Sequence, residues 1–248
     1  MSDETSSNVE VVEKKHALGV LLDTSYPLLQ QFKEKCPGTH KHSQSVASIV
    51  EGVSMALDLD VTFMRVCATY HDLGKCVNPH LFTENQLDGE NPHADLEPWV
   101  SAQLITRHVS DSAVLLLADQ NFPREVIEVI TQHHGNEIQR YFYDRSSEEL
   151  KEKPELFRYP CPKPKTIESA VLMICDHIEA TSRSKIQSGE YDPSTIIDTT
   201  INGLLDRNQL DEVSMKLGNL KKIKIALGKE LEGLYQKRVR YEVDEEND

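Results

Sequence analysis

The chain has 248 residues, 38% apolar and 27% charged, and its 41 acidic against 27 basic side chains give a net charge of −14. That length buries a full core without staples, and that charge disfavours a nucleic-acid polymer or an anionic membrane as the main partner. Five cysteines (Cys36, Cys67, Cys76, Cys161, Cys175) without a C-x-x-C pair, no apolar run longer than Ala113–Ala118, and a polar, acidic start lead us to expect a soluble cytoplasmic protein with reduced thiols, no membrane segment and no signal peptide.

Residues 1–10 read as a disordered tail, 11–240 as one domain and 241–248 as an acidic tail. The first helix is interrupted near Pro27 and closed by Pro37-Gly38. Val46, Ile49, Val50, Val53 and Leu57 recur at helical spacing, with His42 beginning that helix. Asp60 caps the next, which turns Phe63, Val66, Cys67 and Tyr70 inward, delivers His71-Asp72 at its last turn and ends at Gly74. Residues 76–96 read as a long loop of the kind that often carries function. Helices follow from Pro98 to Val109, ending on His108, and from Asp111 to Gln120. Another opens at Pro123 and closes at Gly135, just after His133-His134. The run 160–164 is too rich in proline to be helical. Thr166 starts a helix with Ile167, Ala170, Val171, Ile174, Cys175 and Ile178 on one face and Asp176 at its edge. Helices over about 193–206 and 219–237 complete an all-α chain with no internal repeat.

His71-Asp72 places an imidazole nitrogen and a carboxylate at one point, a pair suited to a transition metal, and a carboxylate can bridge two. Alone the dipeptide is weak, since a histidine at a helix end is often a cap. Helix ends from different parts of a bundle can converge, however. His42, His71, Asp72, His108, His133, His134 and Asp176 would then supply the protein ligands that two metals require. Asp176 is the most informative singly, because a carboxylate beside Ile174 and Cys175 is costly to bury without a metal or cationic partner.

Taken in order, the motifs resemble the HD-domain metal-dependent phosphohydrolases. More narrowly, they are similar to the cytosolic HD domain of the seven-transmembrane HD phosphodiesterases that cleave cyclic di-AMP. The resemblance covers about residues 36–240. It rests on Pro37-Gly38-Thr39 with His42-Ser43, Tyr70-His71-Asp72-Leu73-Gly74-Lys75, Glu84-Asn85-Gln86, Asn91-Pro92-His93 and Ile105 to Val109. It continues through Gln132-His133-His134-Gly135, Tyr141-Phe142-Tyr143, Phe157-Arg158-Tyr159-Pro160, Pro162-Lys163-Pro164, and Asp176 with Glu179-Ala180 and Ser182-Arg183-Ser184. It implies a helical bundle with a dinuclear site at converging helix ends, occupied by two divalent ions, iron or manganese. By matching position, His42, His71, Asp72 and Asp176 would hold one metal, and Asp72 as bridge with His108, His133 and His134 the other. Family members carry an outer domain and membrane helices ahead of the HD domain. This sequence shows neither, which puts membrane recruitment and an outer signal in question.

The resemblance implies hydrolysis of a cyclic dinucleotide, cyclic di-AMP preferred, to the linear form through a metal-activated hydroxide, with Asp72 and Lys75 as the catalytic residues. Lys75 would neutralise a phosphoryl oxygen, or be a solvated loop lysine. Glu179 and Arg183 share a face with Asp176; Arg183 would clamp a phosphate while Glu179 orders it, or the two form a surface ion pair. Tyr141 and Tyr143 would stack on adenine, with core packing an alternative for at least one. Asn85, Gln86 and His93 would read the base edges or phosphate, or merely form turns. The alternatives are an HD phosphohydrolase for another cyclic oligonucleotide or a nucleotide monoester, and a nucleotide-sensing module without turnover. A homodimer is compatible with the sequence.

Overall fold

Prolines start two successive helices early in the fold, after a short helical stretch at residues 17–20. In the computed structural model, which describes residues 17–86 and 91–245 with side chains to Tyr235, α1 (Pro27–Lys35) begins on Pro27 and α2 (Pro37–Leu57) on Pro37. Proline is preset for this position and lacks only an N–H that would have no helical partner there. Pro37-Gly38 therefore opens α2 rather than closing the helix before it. His42 lies a turn and a half inside α2, not at its start. Val46, Ile49, Val50 and Val53 are buried as the periodicity predicts. The tail predicted over residues 1–10 lies outside the described residues, as do 246–248.

Asp60 accepts a hydrogen bond from the Phe63 amide and starts α3 (Val61–Tyr70). His71 caps the far end of α3, and the chain tightens into a 3-10 turn over Leu73–Val77. Gly74 sits inside that turn rather than ending the helix. A Cβ there would stand 2.0 Å from the His108 carbonyl oxygen and 2.4 Å from the Ser112 amide nitrogen, so glycine is needed for close approach. Two more 3-10 turns, Pro79–Leu81 and Thr83–Asn85, order much of the predicted loop.

The next pair, α4 (Pro98–Thr106) and α5 (His108–Leu117), divides at Arg107, so His108 begins a helix instead of ending one. α6 (Arg124–Ile130) stops before the predicted closure. His133 and His134 stand in the turn beyond it, where Gly135 takes a positive φ of 51° that an L side chain resists. Short helices α7 (Arg140–Tyr143) and α8 (Glu148–Lys151) lead to the non-helical proline run. Thr166 and Ser169 form a capping box at the start of α9 (Ile167–Gln187). α10 (Pro193–Asp206) and α11 (Leu217–Glu245) close the chain, and α11 extends beyond the predicted end near Lys237.

The architecture is all-α as predicted. Among the described residues the strand-like pairing is a single bridge, Ile138 with Arg158, and no helix is long and apolar enough to cross a membrane. α9 is the central element, packed on α2, α3, α6 and α10, while α11 lies along α2. From Ala170 to Cys175 every side chain of α9 is fully buried, the mark of a helix surrounded by others. Asp176 comes next, so the fold carries a carboxylate into the core.

Candidate metal centre

Three segments deliver three imidazoles by one local device. His71 Nδ1 donates to the Ala68 carbonyl at 2.8 Å, His108 Nδ1 to Ile105 at 2.7 Å and His133 Nδ1 to Ile130 at 2.6 Å. A carbonyl only accepts, so each Nδ1 carries the proton and each Nε2 is left to face the centre. His42 is held differently: its Nδ1 donates to the buried Glu179 carboxylate, whose other oxygen accepts from Tyr235 Oη at 3.3 Å. Ser112 pins the His71-Asp72 corner, donating to the His71 carbonyl at 3.0 Å and accepting from the Gly74 amide at 2.7 Å.

Asp72 is the hub. Its Oδ1 lies 3.1 Å from His108 Nε2 and 3.8 Å from His133 Nε2. Its Oδ2 lies 3.4 Å from His71 Nε2 and 3.7 Å from His42 Nε2. One oxygen thus faces each half of the cluster. Asp176 Oδ1 stands 2.9 Å from His42 Nε2 and 3.6 Å from His71 Nε2, while its Oδ2 is 3.8 Å from His134 Nδ1. Ligand atoms of Asp72, His108, His133 and His134 fall within 4.8 Å of one another, as do those of His42, His71 and Asp176. All seven predicted metal ligands come together in two sets.

The donor set fits divalent metals. His71 Nε2 and Asp72 Oδ1 are buried and have no hydrogen-bond partner, a costly arrangement unless a cation completes it. Burial, reinforced by the neighbouring His71 charge, lowers His133 to about 3, so its Nε2 is an unprotonated lone pair aimed at a carboxylate oxygen. Burial, and His133 beside it, likewise hold His134 well below the usual imidazole range. The opposite holds for His71: against burial, the Asp72 and Asp176 carboxylates push it up to about 10. Burial alone would favour the neutral Asp72 acid, but the Lys75 ammonium and His71 keep it ionised well below the usual range. Asp176 is likewise held down, against burial, by its hydrogen bond to His42 and by the neighbouring His71 charge. Imidazole and carboxylate donors in this mixture suit iron, manganese or zinc better than calcium or magnesium.

Lys75 is not a solvated loop lysine. Its Nζ lies 2.8 Å from Asp72 Oδ2 and 2.9 Å from Glu84 Oε1, and the two carboxylates raise it against burial. Glu179 is not a free phosphate-orienting group either, since it is 3% exposed and engaged with His42 and Tyr235. Arg183 reaches to 4.0 Å from Glu179 and, with Lys41 and His42, lines a cavity of about 750 Å³. A second cavity of about 540 Å³ opens on His134, Tyr159 and His177.

The other predicted substrate contacts line neither cavity. Asn85 Nδ2 donates to Thr39 Oγ1 at 2.8 Å, and its side-chain oxygen accepts from the Thr39 amide at 3.1 Å. Gln86 donates to the His80 carbonyl, and His93 Nε2 to the Leu81 carbonyl. Tyr143 packs edge-on against Phe157 and donates to the Lys151 carbonyl. Tyr141 is 57% exposed, with the Arg145 guanidinium 3.7 Å over its ring. Reading the sequence passed over His177, whose ligand atoms group with those of His134 and Asp176 within 4.8 Å. Its signal was direct adjacency to Asp176. Tyr235 carried none, being a helical tyrosine far along the chain.

The sequence pattern of the HD domain family matches residues 39–181. Over 227 residues the chain is 34% identical to the cyclic-di-AMP phosphodiesterase PgpH of Listeria monocytogenes, a stretch covering 91% of this chain and 32% of that protein. PgpH of Bacillus subtilis is 33% identical over 222 residues, covering 89% and 31%. The chain thus spans about a third of the length of these relatives. The crystal structure of the L. monocytogenes PgpH HD domain matches at a TM-score of 0.76 and 35% identity, over 85% of this chain and 100% of that one. The same domain in complex with cyclic-di-AMP matches at 0.77 and 34%, over 85% and 97%. With an all-helical fold, paired His/Asp sets joined at His71-Asp72 and this similarity, the chain belongs to the HD-domain family.

Proposed function

We propose that this chain is a metal-dependent phosphodiesterase domain that hydrolyses a cyclic dinucleotide, cyclic di-AMP preferred, to the linear dinucleotide. The observation that carries the reading is Asp72, one carboxylate with an oxygen toward each of two ligand sets. Likeness to a solved HD domain in complex with cyclic-di-AMP supports the substrate class. His42, His71 and Asp176 would hold one divalent ion and His108, His133 and His134 the other, with Asp72 between; iron and manganese are the ions proposed. Bound there, two such ions supply Lewis acidity toward a phosphate and an acidified water.

The chain's own groups do the rest. The buried carbonyl and carboxylate partners of His42, His71, His108 and His133 hold those imidazoles in place, so little reorganisation is needed when the substrate arrives. Lys75, held between Asp72 and Glu84, keeps its charge and would offset a phosphoryl oxygen at the Asp72 side. Lys41 and Arg183 bring two cations to the larger cavity, whose lining carboxylates Glu84 and Glu179 are engaged by Lys75 and His42, and an anionic substrate needs such cations in a strongly acidic protein. Hydrolysis breaks one P–O3′ bond, water supplies the new P–O bond, and a 5′-phosphate and a free 3′-hydroxyl result. Five cysteines with no disulfide among the described residues favour a reducing compartment, the cytoplasm, for this domain.

The test is turnover of cyclic di-AMP by protein loaded separately with manganese and iron, resolved by chromatography beside an Asp72→Ala variant. A linear dinucleotide that the variant fails to make is the expected result. Intact cyclic di-AMP with metal bound would sink the substrate assignment, and release of inorganic phosphate from a nucleotide monoester would replace it.

A further inference from the structure

Asp176, like Asp72, has an oxygen on each side. Its Oδ1 faces His42 and His71 at 2.9 and 3.6 Å, and its Oδ2 faces His134 Nδ1 at 3.8 Å. The next residue of α9, His177, completes an outer group: ligand atoms of His134, Asp176 and His177 fall within 4.8 Å of one another. His177 Nδ1 donates to the Met173 carbonyl at 2.9 Å. The same device aims His71, His108 and His133, with the acceptor three residues back instead of four. It leaves the lone pair of His177 Nε2 as the ligand atom. The His134 ring packs on Tyr159 with centroids 4.3 Å apart, and its centroid is 5.9 Å from that of His177.

We propose that His177, Asp176 and His134 form a third divalent-metal position, outside the two sets joined by Asp72 and weaker than either. Two imidazole nitrogens and one carboxylate oxygen suit manganese, iron or zinc better than calcium or magnesium. The position depends neither on cyclic di-AMP as the substrate nor on turnover.

Its weakness follows from what it shares. His134 also belongs to the Asp72 set and Asp176 to the His42 set. A neutral imidazole binds one ion at a time, so the outer ion takes His134 only at the expense of the inner set. Ions already bound at the inner sets repel another cation, and the single carboxylate offsets only part of that repulsion. His134 and His177 are also part-buried, whereas the other inner ligands are buried.

The same exposure gives the position a use. Both imidazoles line the cavity of about 540 Å³, together with Tyr159 and Arg140. Three protein donors leave at least one coordination position open toward that cavity. Arg140 brings a positive charge there, which suits an anionic oxygen as the remaining ligand.

Equilibrium dialysis of metal-free protein against rising free manganese, with bound metal counted by elemental analysis, tests the position. The chain is expected to bind two ions tightly and a third severalfold more weakly. His177→Gln, which changes no member of the inner sets, should lose the third ion and keep the tight pair. The tight pair reads the inner centre and the His177-dependent ion reads the outer position, so either can fail without the other. Saturation at the tight pair alone overturns the proposal. A third ion that His177→Gln binds equally well is adventitious and overturns it too. If His177→Gln loses the tight pair as well, anomalous X-ray scattering from manganese-soaked crystals of the unaltered chain decides. A manganese peak within bonding distance of His177 Nε2 supports the outer position, and its absence overturns it.

Discussion

Four imidazoles of the centre have one nitrogen committed before a metal arrives, and one of the four is unlike the rest. His71, His108 and His133 lean on backbone carbonyls, whereas His42 leans on Glu179, an ionisable partner that makes the ring a stronger donor. Glu179→Gln keeps a hydrogen-bond acceptor and removes the charge. Metal affinity should fall by ~10–100-fold, with Tyr235→Phe doing less, since it only loosens Glu179. Competition with a chromophoric chelator measures both, and unchanged affinity in Glu179→Gln would mean that the carboxylate merely fills space. Lys75 makes a complementary case. Lys75→Met takes the ammonium from buried Asp72 and partly buried Glu84 and leaves His71 as the remaining cation beside Asp72, a loss of ~3–5 kcal/mol in metal-free protein. The loss should shrink in metal-loaded protein, where the ions take over part of the charge at Asp72. Denaturant unfolding with and without metal tests this, and a loss under ~1 kcal/mol in both states would be that of an exposed ion pair.

At the scale of elements, the centre depends on how closely the turn after α3 approaches α5. Gly74→Ala would set a methyl group 2.0 Å from the His108 carbonyl and 2.4 Å from the Ser112 amide, both backbone atoms that cannot swing aside. α5 must shift and take His108 with it. A stability loss of ~1–3 kcal/mol should come with weakened metal binding, read by thermal unfolding and chelator competition on one sample; full retention of both would show that α5 yields freely. Sequence reading made Gly74 a helix terminator, because a glycine after a helical pattern signals an end and its packing partner is 34 residues away. Other elements were legible for clear reasons. Asp60 and Thr166 are capping residues before apolar periods, and the apolar spacing of α2 and α9 survives in their buried faces. The clustering of the seven proposed ligand residues was legible because His and Asp are uncommon in a core and the motif order is specific. Helix ends were harder: Arg107 keeps helical dihedrals of −62° and −26°, so nothing in the residues announces the break that turns His108 from an end into a start. Substrate contacts were the least legible. Asn85 is an amide in a loop by sequence, and only the fold brings Thr39 and Cys36 to it.

Across the whole molecule, the centre makes stability depend on pH in opposite ways for metal-free and loaded protein. In the metal-free state His71 is raised from 6.5 to about 10, so its contribution is complete below pH 6.5 and fades as pH rises toward 10. Asp72 and Asp176 are lowered, so theirs is present above about pH 4 and is lost as pH falls through their folded values. His133 and His134, held neutral, add a cost that grows as pH falls below 6.5. Metal-free protein should therefore be most stable between weakly acidic and neutral pH and weaken toward pH 9. A metal on His71 Nε2 must displace the proton there, so binding at neutral pH releases protons and tightens as pH rises. At fixed free metal, the stability gap between loaded and metal-free protein should grow by ~1.4 kcal/mol per pH unit for each proton released. Thermal unfolding with and without manganese between pH 6.5 and 8.5 reads the gap, and calorimetry in buffers of different ionisation enthalpy counts the protons. A gap that stays flat with pH, with no proton release, would mean that His71 is neutral before metal binds, and the electrostatic pairing of His71 with Asp72 and Asp176 would have to be abandoned.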